Sequence, residues 1–182
     1  MALGDSLTAG WMEPKGYVDI LEELLKAKYP RAKIKIINCG IPGDTASGGL
    51  HRFNSQVLPH SPDLLIIQFG LNDAYMGFSP TEFADKINRI IAESQQHTQT
   101  EIIVISSTHM TPEFDPDQLM EKFYNTLKTS AQQYGCTFVP LHKQWKDTIA
   151  NGTNPFELVQ PDGVHPTMKG YHLMAETIFD FF

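Results

Sequence analysis

A serine, a histidine and an aspartate can together open an ester, and this chain carries all three in settings that favour such chemistry. Ser6 stands in Gly4-Asp5-Ser6-Leu7, and His165 stands in Asp162-Gly163-Val164-His165-Pro166. A serine hydroxyl is a weak nucleophile at neutral pH, so it needs a base to take its proton and a third group to hold that base in one tautomer. The Asp-Gly-Val-His spacing supplies base and orienting group together. Gly163 permits a tight turn through which the Asp162 carboxylate can reach one ring nitrogen, leaving the other to face Ser6. Two further clusters offer hydrogen-bond donors for developing negative charge. In Gly40-Ile41-Pro42-Gly43 the last glycine exposes its N–H without a Cβ in the way, and in Gly70-Leu71-Asn72-Asp73 the asparagine presents a neutral amide. With the N–H of Ser6 at the start of a helix, these make three donors for an oxyanion.

Each cluster alone has a plainer reading. Asp5 or Ser6 could cap a helix, Gly43 could belong to an ordinary loop, Asn72 to a turn, and Asp162-Gly163 to an exposed turn. Their conjunction is what points to acyl transfer. Other chemistries fit less well. Metal hydrolysis needs spaced ligands, and neither His-Glu-x-x-His nor Cys-x-x-Cys occurs. Residues 43–50 are a distant match to a phosphate-binding loop, but Gly49 and Leu50 occupy the positions of its lysine and hydroxyl. The Gly-x-Ser-x-Gly elbow is missing too, because Thr8 stands where its second glycine would be. No metal or organic cofactor is expected. The remaining histidines, His51, His60, His97, His109, His142 and His172, lack a carboxylate in comparable spacing and read as surface or structural residues.

The elements that would carry these residues alternate along the chain. Apolar runs at 34–37, 64–67, 102–105 and 137–139 read as buried strands, which implies a parallel sheet. Residues Tyr17 to Lys28 show helical spacing, with Val18, Ile20, Leu21, Leu24 and Leu25 inward and Pro30 as the stop. Ser79-Pro80 opens a helix through about 96 with Phe83, Ile87, Ile90 and Ile91 inward. A third spans 116–134 with Leu119, Phe123 and Leu127 inward and Gly135 as its stop. A closing helix covers about 167–181. The expected architecture is an α/β/α sandwich around about five strands, forming one domain over residues 1–182. Ligands of such sheets bind beyond the carboxyl ends of the strands. Ser6, Gly43 and Asn72 each fall just past one.

Composition narrows the partners. The net charge of −7 and a single basic cluster, Lys26, Lys28, Arg31, Lys33 and Lys35, argue against nucleic acid. No apolar run approaches the ~18 residues of a membrane span. Cys39 and Cys136 read as buried thiols, so a reducing compartment, the cytoplasm, is the expectation. Only Met1, Ala2 and Leu3 precede Gly4, so no export signal is legible, although the start reads as clipped and leaves export open.

In these four blocks the chain resembles the SGNH hydrolases, the GDSL esterase and lipase superfamily. Gly4-Asp5-Ser6-Leu7-Thr8-Ala9-Gly10 and Asp162-Gly163-Val164-His165-Pro166 are most similar to bacterial lysophospholipase/thioesterase-like and arylesterase-like members. The resemblance implies a flavodoxin-like sheet of order 2-1-3-4-5. It implies Ser6 as nucleophile and first oxyanion donor, Gly43 and Asn72 as second and third donors, His165 as base and Asp162 as its partner. It also marks the first strand as truncated, since members carry a full apolar strand before the Gly-Asp-Ser block. Trp11 and Met12, with Tyr75, Met76 and Phe78 from the segment after Asn72, are candidates to line an acyl pocket. A short acyl ester is the favoured substrate. Lysophospholipid, acyl-thioester and acetylated carbohydrate are alternatives, and a non-catalytic binding module on the same fold is the competing class.

Overall fold

The computed structural model describes residues 1–97, 99–109 and 118–182. Five strands form one parallel sheet of order β2-β1-β3-β4-β5, with β1 Ala2–Gly4, β2 Asn38–Gly40, β3 Leu64–Gln68, β4 Glu101–Ile105 and β5 Thr137–Val139. The nine α-helices of the described residues are α1 Ser6–Ala9, α2 Tyr17–Lys28, α3 Ala46–Gln56, α4 Leu71–Tyr75, α5 Pro80–His97, α6 Leu119–Tyr134, α7 Leu141–Ala150, α8 Pro155–Leu158 and α9 Met168–Phe179. They pack in two groups. In one, α5 contacts both α3 and α6; in the other, α9 contacts α2, α7 and α8. The sheet lies between these groups, as the alternation of strand and helix requires. The middles of β3 and β4 are apolar, Leu65, Ile66 and Ile67 in β3 and Ile102 to Ile105 in β4 being buried.

Helix α2 has the bounds expected from its periodicity, and its start is held by the Gly16 N–H donating to Asp19 Oδ2 at 3.0 Å. Val18, Ile20, Leu21 and Leu25 are buried, while Leu24 packs at the edge of the core. Helix α5 opens on Ser79 as read from sequence. The Glu82 carboxylate takes the Ser79 N–H at 2.8 Å, and Ser79 Oγ takes the Glu82 N–H at 3.2 Å. In α6 the buried face consists of Met120, Phe123, Tyr124 and Leu127, whereas Leu119 is exposed, contrary to expectation. It shares the i, i+4 row of Phe123 and Leu127 but is the first helical residue, at the end of that row, where its side chain stays exposed. The expected start of this helix at residue 116 lies outside the described residues.

The second strand corrects the sequence reading. The run at 34–37 is the more apolar segment, yet the strand is Asn38–Gly40. Pairing decides this. β1 offers only Ala2, Leu3 and Gly4, and their partners are Asn38, Cys39 and Gly40 on one side and Ile66, Ile67 and Gln68 on the other. Residues 34–37 run past that ladder, meeting it only where the Ala2 N–H donates to Ile37 O. β-propensity without a partner strand does not make a strand. A groove of about 370 Å³ lies there, bordered by Met1, Ile34, Ile36, Leu64 and Ile66. Among the described residues no helix is long and apolar enough to cross a membrane.

Candidate active site

The site lies at the opposite, carboxyl-terminal edge of the sheet. Immediately after β1 the chain turns into α1, with Asp5 as its N-cap: the Asp5 carboxylate accepts the Leu7 N–H at 2.9 Å. Ser6 is thereby the first helical residue. Its carbonyl accepts the Trp11 N–H, and its side chain is largely covered. Close approach of backbones fixes this turn in place. A Cβ on Gly40, at the end of β2, would sit 2.2 Å from the Ala9 nitrogen of α1, and a Cβ on Gly4 would sit 2.2 Å from Thr8 Oγ1.

His165 arrives from a loop closed by an antiparallel bridge between Val159 and Pro166, with the Gln160 N–H donating to His165 O at 2.7 Å. Within it Gly163 adopts φ +71°, a left-handed conformation that favours glycine. The Asp162 Oδ1 then accepts the backbone N–H groups of Val164 and His165 at 2.9 and 3.0 Å, while Oδ2 lies 2.7 Å from His165 Nδ1. The other ring nitrogen, Nε2, lies 3.0 Å from Ser6 Oγ. Three side chains separated by up to 159 residues thus form one hydrogen-bonded line. Burial raises the affinity of Asp162 for a proton, but the ring and the two N–H donors outweigh it and hold the carboxyl below its usual range.

The two other donor candidates, Gly43 and Asn72, lie on segments tied to each other through Asp44. Gly43 has φ +78° and open space where a Cβ would stand, so its glycine is required by conformation more than by crowding. Among the described residues neither the Ser6 N–H nor the Gly43 N–H has an acceptor. Asn72, in α4, donates one amide hydrogen from Nδ2 to Asp44 O at 2.8 Å, and among the described residues the second hydrogen has no acceptor. Asp73 is buried beside it and accepts the Ala46 N–H, tying α4 to the start of α3. Desolvation pushes the Asp73 carboxyl up to about 6 against the pull of that bond.

A polar network lies beneath the nucleophile turn. Gln68, the last residue of β3, donates through Nε2 to Asp5 Oδ2 and to Ser107 Oγ, both at 3.2 Å. Its Oε1 accepts the Thr8 hydroxyl at 2.8 Å, and Thr8 Oγ1 lies 3.1 Å from the Tyr17 hydroxyl. Asp5 is fully buried, and desolvation pushes its carboxyl up to about 7 despite the Leu7 N–H and the Gln68 amide. Sequence reading passed over Gln68, Arg52 and Asp44. Arg52 had a legible signal: Ala46, Gly49, Arg52 and Phe53 share the buried face of α3, so a cation stands on an otherwise apolar or small stripe.

The apolar candidates are at the same edge but not enclosed. Trp11, Met12, Tyr75 and Met76 are each at least half exposed, and Phe78 is 38% exposed. Trp11 is held through its backbone, whose carbonyl accepts the Tyr171 hydroxyl at 3.1 Å. His142 lies apart from the line to Ser6, half-buried against Tyr124 and hydrogen-bonded to Ser106 Oγ at 2.8 Å. Among the described residues no three His, Cys, Asp or Glu side chains are grouped as a metal ion would need. Cys39 and Cys136 are free thiols, half-buried and pushed up by desolvation.

Comparison with known proteins places this geometry in context. An arylesterase of Vibrio mimicus is 26% identical over 180 residues, covering 98% of this chain and 84% of the relative. An acetylxylan esterase of Geobacillus stearothermophilus is 26% identical, covering 95% and 88%. The crystal structure of a lipase/acylhydrolase from Enterococcus faecalis superposes with a TM-score of 0.84 at 26% identity, covering 99% of this chain and 92% of that one. The model of the GDSL-like lipase/acylhydrolase family matches residues 2–173, which span every strand and all four blocks, and the chain belongs to that family.

Proposed function

We propose that the protein is a serine carboxylic-ester hydrolase that passes a short acyl group through an acyl-enzyme on Ser6, with residues 1–182 acting as one catalytic domain. The carrying observation is the line from Ser6 Oγ to His165 Nε2 at 3.0 Å and from His165 Nδ1 to Asp162 Oδ2 at 2.7 Å. Membership of an acylhydrolase family supports the same class of reaction. As Ser6 Oγ attacks the substrate carbonyl, its proton passes to His165 Nε2 and the C=O electrons move onto oxygen. The N–H groups of Ser6 and Gly43 and the second amide hydrogen of Asn72 stabilise that oxygen. Because all three belong to a preformed frame, they cost no reorganisation when charge develops. Collapse expels the alcohol, which takes the proton back from Nε2. Water then attacks the acyl-enzyme with His165 as base, releasing the acid and regenerating Ser6. Asp162 holds the ring in the tautomer this cycle needs.

A short acyl group suits the shape of the rim. Trp11, Met12, Tyr75, Met76 and Phe78 are exposed around Ser6, an open border more than the wall of a deep acyl channel. An acetyl ester of a carbohydrate is a second reading, favoured by the acetylxylan esterase among the relatives. Labelling with a fluorophosphonate, then turnover of p-nitrophenyl esters from acetate to decanoate, tests the proposal. Expected are one label on Ser6 and a kcat/KM that peaks at the short esters. An unlabelled protein would instead favour a binding module, and a peak at the long esters would replace the substrate assignment.

A further inference from the structure

Arg52 lies 8% exposed on the inner face of α3, and its guanidinium joins three parts of the site. Nε donates to Asp44 Oδ2 at 2.8 Å, Nη2 pairs with the same oxygen at 2.8 Å and donates to Gly4 O at 3.1 Å, and Nη1 donates to Gln56 Oε1 at 3.0 Å. Gly4 O is the carbonyl two residues before Ser6, and it also accepts the Ile41 N–H at 3.0 Å. Asp44 follows Gly43 directly, and its own carbonyl is the acceptor that orients the Asn72 amide. Its second carboxylate oxygen takes the Thr45 N–H at 2.9 Å. The space for this carboxylate exists only because residue 48 is glycine: a Cβ there would stand 1.8 Å from Asp44 Oδ1.

The three donors proposed for the oxyanion therefore sit on segments that meet at one planar cation. Ser6 follows Gly4, Gly43 precedes Asp44, and Asn72 hangs from Asp44 O. We propose that Arg52 is a positioning residue that holds these donors in register for the transition state while touching no substrate atom itself. The inference rests on the acyl-enzyme reading above. Its chemistry follows from the guanidinium, whose rigid fork of five donors can hold a carboxylate and a carbonyl at once, which a lysine ammonium on a flexible stem does poorly. Donors misplaced by an ångström cost the transition state far more than the ground state, because the oxygen becomes strongly charged only there.

The test compares Arg52→Gln, Arg52→Lys and Asp44→Asn with wild type on p-nitrophenyl acetate, together with binding of an alkyl trifluoromethyl ketone that forms a tetrahedral adduct with Ser6. Arg52→Gln is expected to lose about 100-fold in kcat with KM changed by less than about threefold. Ketone affinity should fall in parallel with kcat/KM, and Arg52→Lys should recover part of both. Asp44→Asn, nearly isosteric, reports in the same direction if Arg52→Gln does not fold. Combined with Asn72→Ala, the Arg52→Gln loss should be less than additive, since one acts through the other. Wild-type kcat in folded Arg52 and Asp44 variants, a loss confined to KM, full additivity with Asn72→Ala, or unchanged ketone affinity would each overturn the proposal. Ser6→Ala separates the two ideas: turnover that survives it removes the acyl-enzyme reading and this inference together, whereas turnover lost in Ser6→Ala but intact in the Arg52 and Asp44 variants removes this inference alone.

Discussion

The two ends of the sheet differ in how their polar groups are spent. At the carboxyl-terminal edge four acceptors draw partners from distant segments: Gly4 O from Ile41 and Arg52, Asp44 O from Asn72, Asp5 from Gln68, Asp73 from Ala46. At the amino-terminal edge residues 34–37 run without a ladder beside a groove of about 370 Å³. Leu21, Leu25, Ile34 and Ile36 stand in the walls of that groove, yet among the described residues no Ser, His and Asp side chains are joined by hydrogen bonds along it. Volume and apolar lining alone supply no acyl-transfer chemistry; the proposed reaction needs donors preorganised around a nucleophile, and the candidates for that are at the Ser6 edge.

Breaking the line at the carboxyl-terminal edge should have the largest effect. Ser6→Ala and His165→Ala are each expected to lower kcat by about 10⁴–10⁶-fold, measured by steady-state ester hydrolysis. A loss below tenfold in either would dissolve the contrast between the two ends. Asn72→Ala comes next, at about 10²–10³-fold in kcat with KM little changed. A change in KM alone would mean that the amide binds substrate uniformly and is not a transition-state donor.

A smaller effect concerns pH and stability. The folded Asp5 carboxyl keeps its proton up to about 7, whereas in an unfolded chain it would lose it near pH 4. Between those values the folded state binds more protons, so Asp5 contributes stability that is present at acid pH and lost as pH rises through about 7. The thermal midpoint of wild type should therefore decline more steeply over that window than that of Asp5→Asn. Asp73, raised to about 6, acts in the same direction and titrates in both proteins. Parallel midpoint curves would contradict the burial assigned to Asp5. The smallest effect belongs to the other end. Ile34→Ser in the groove wall should cost about 1 kcal/mol and lower the midpoint by about 2–4 °C, with kcat within about twofold of wild type. A tenfold loss of kcat there would show that the two ends are coupled.

Much of this was legible along the chain, for reasons specific to each element. Helix α2 could be bounded because its apolar period and the Pro30 stop are both local, lying within a few residues of the helix they define. The Asp162–His165 pairing was legible for the same reason, since a glycine at φ +71° and two backbone N–H groups shape it locally. The second strand was misread because strand formation depends on a neighbour, and β1 meets residues 38–40 instead of the more apolar run before them. Leu119 was misassigned because a helix start is the least constrained part of a periodic pattern.

Residue types and local spacing by themselves determined the alternation of strand and helix, the choice of Ser6, Asp162 and His165 as candidates for acyl transfer, and the turn that joins the last two. Only the tertiary structure decided that Ser6 and His165, 159 residues apart, meet at 3.0 Å, and that Arg52 and Gln68 bind Gly4 and Asp5 across 48 and 63 residues. The physical reason is range. Backbone propensity and capping act over a few residues, while a buried donor is satisfied by whichever acceptor the packed chain brings within about 3 Å.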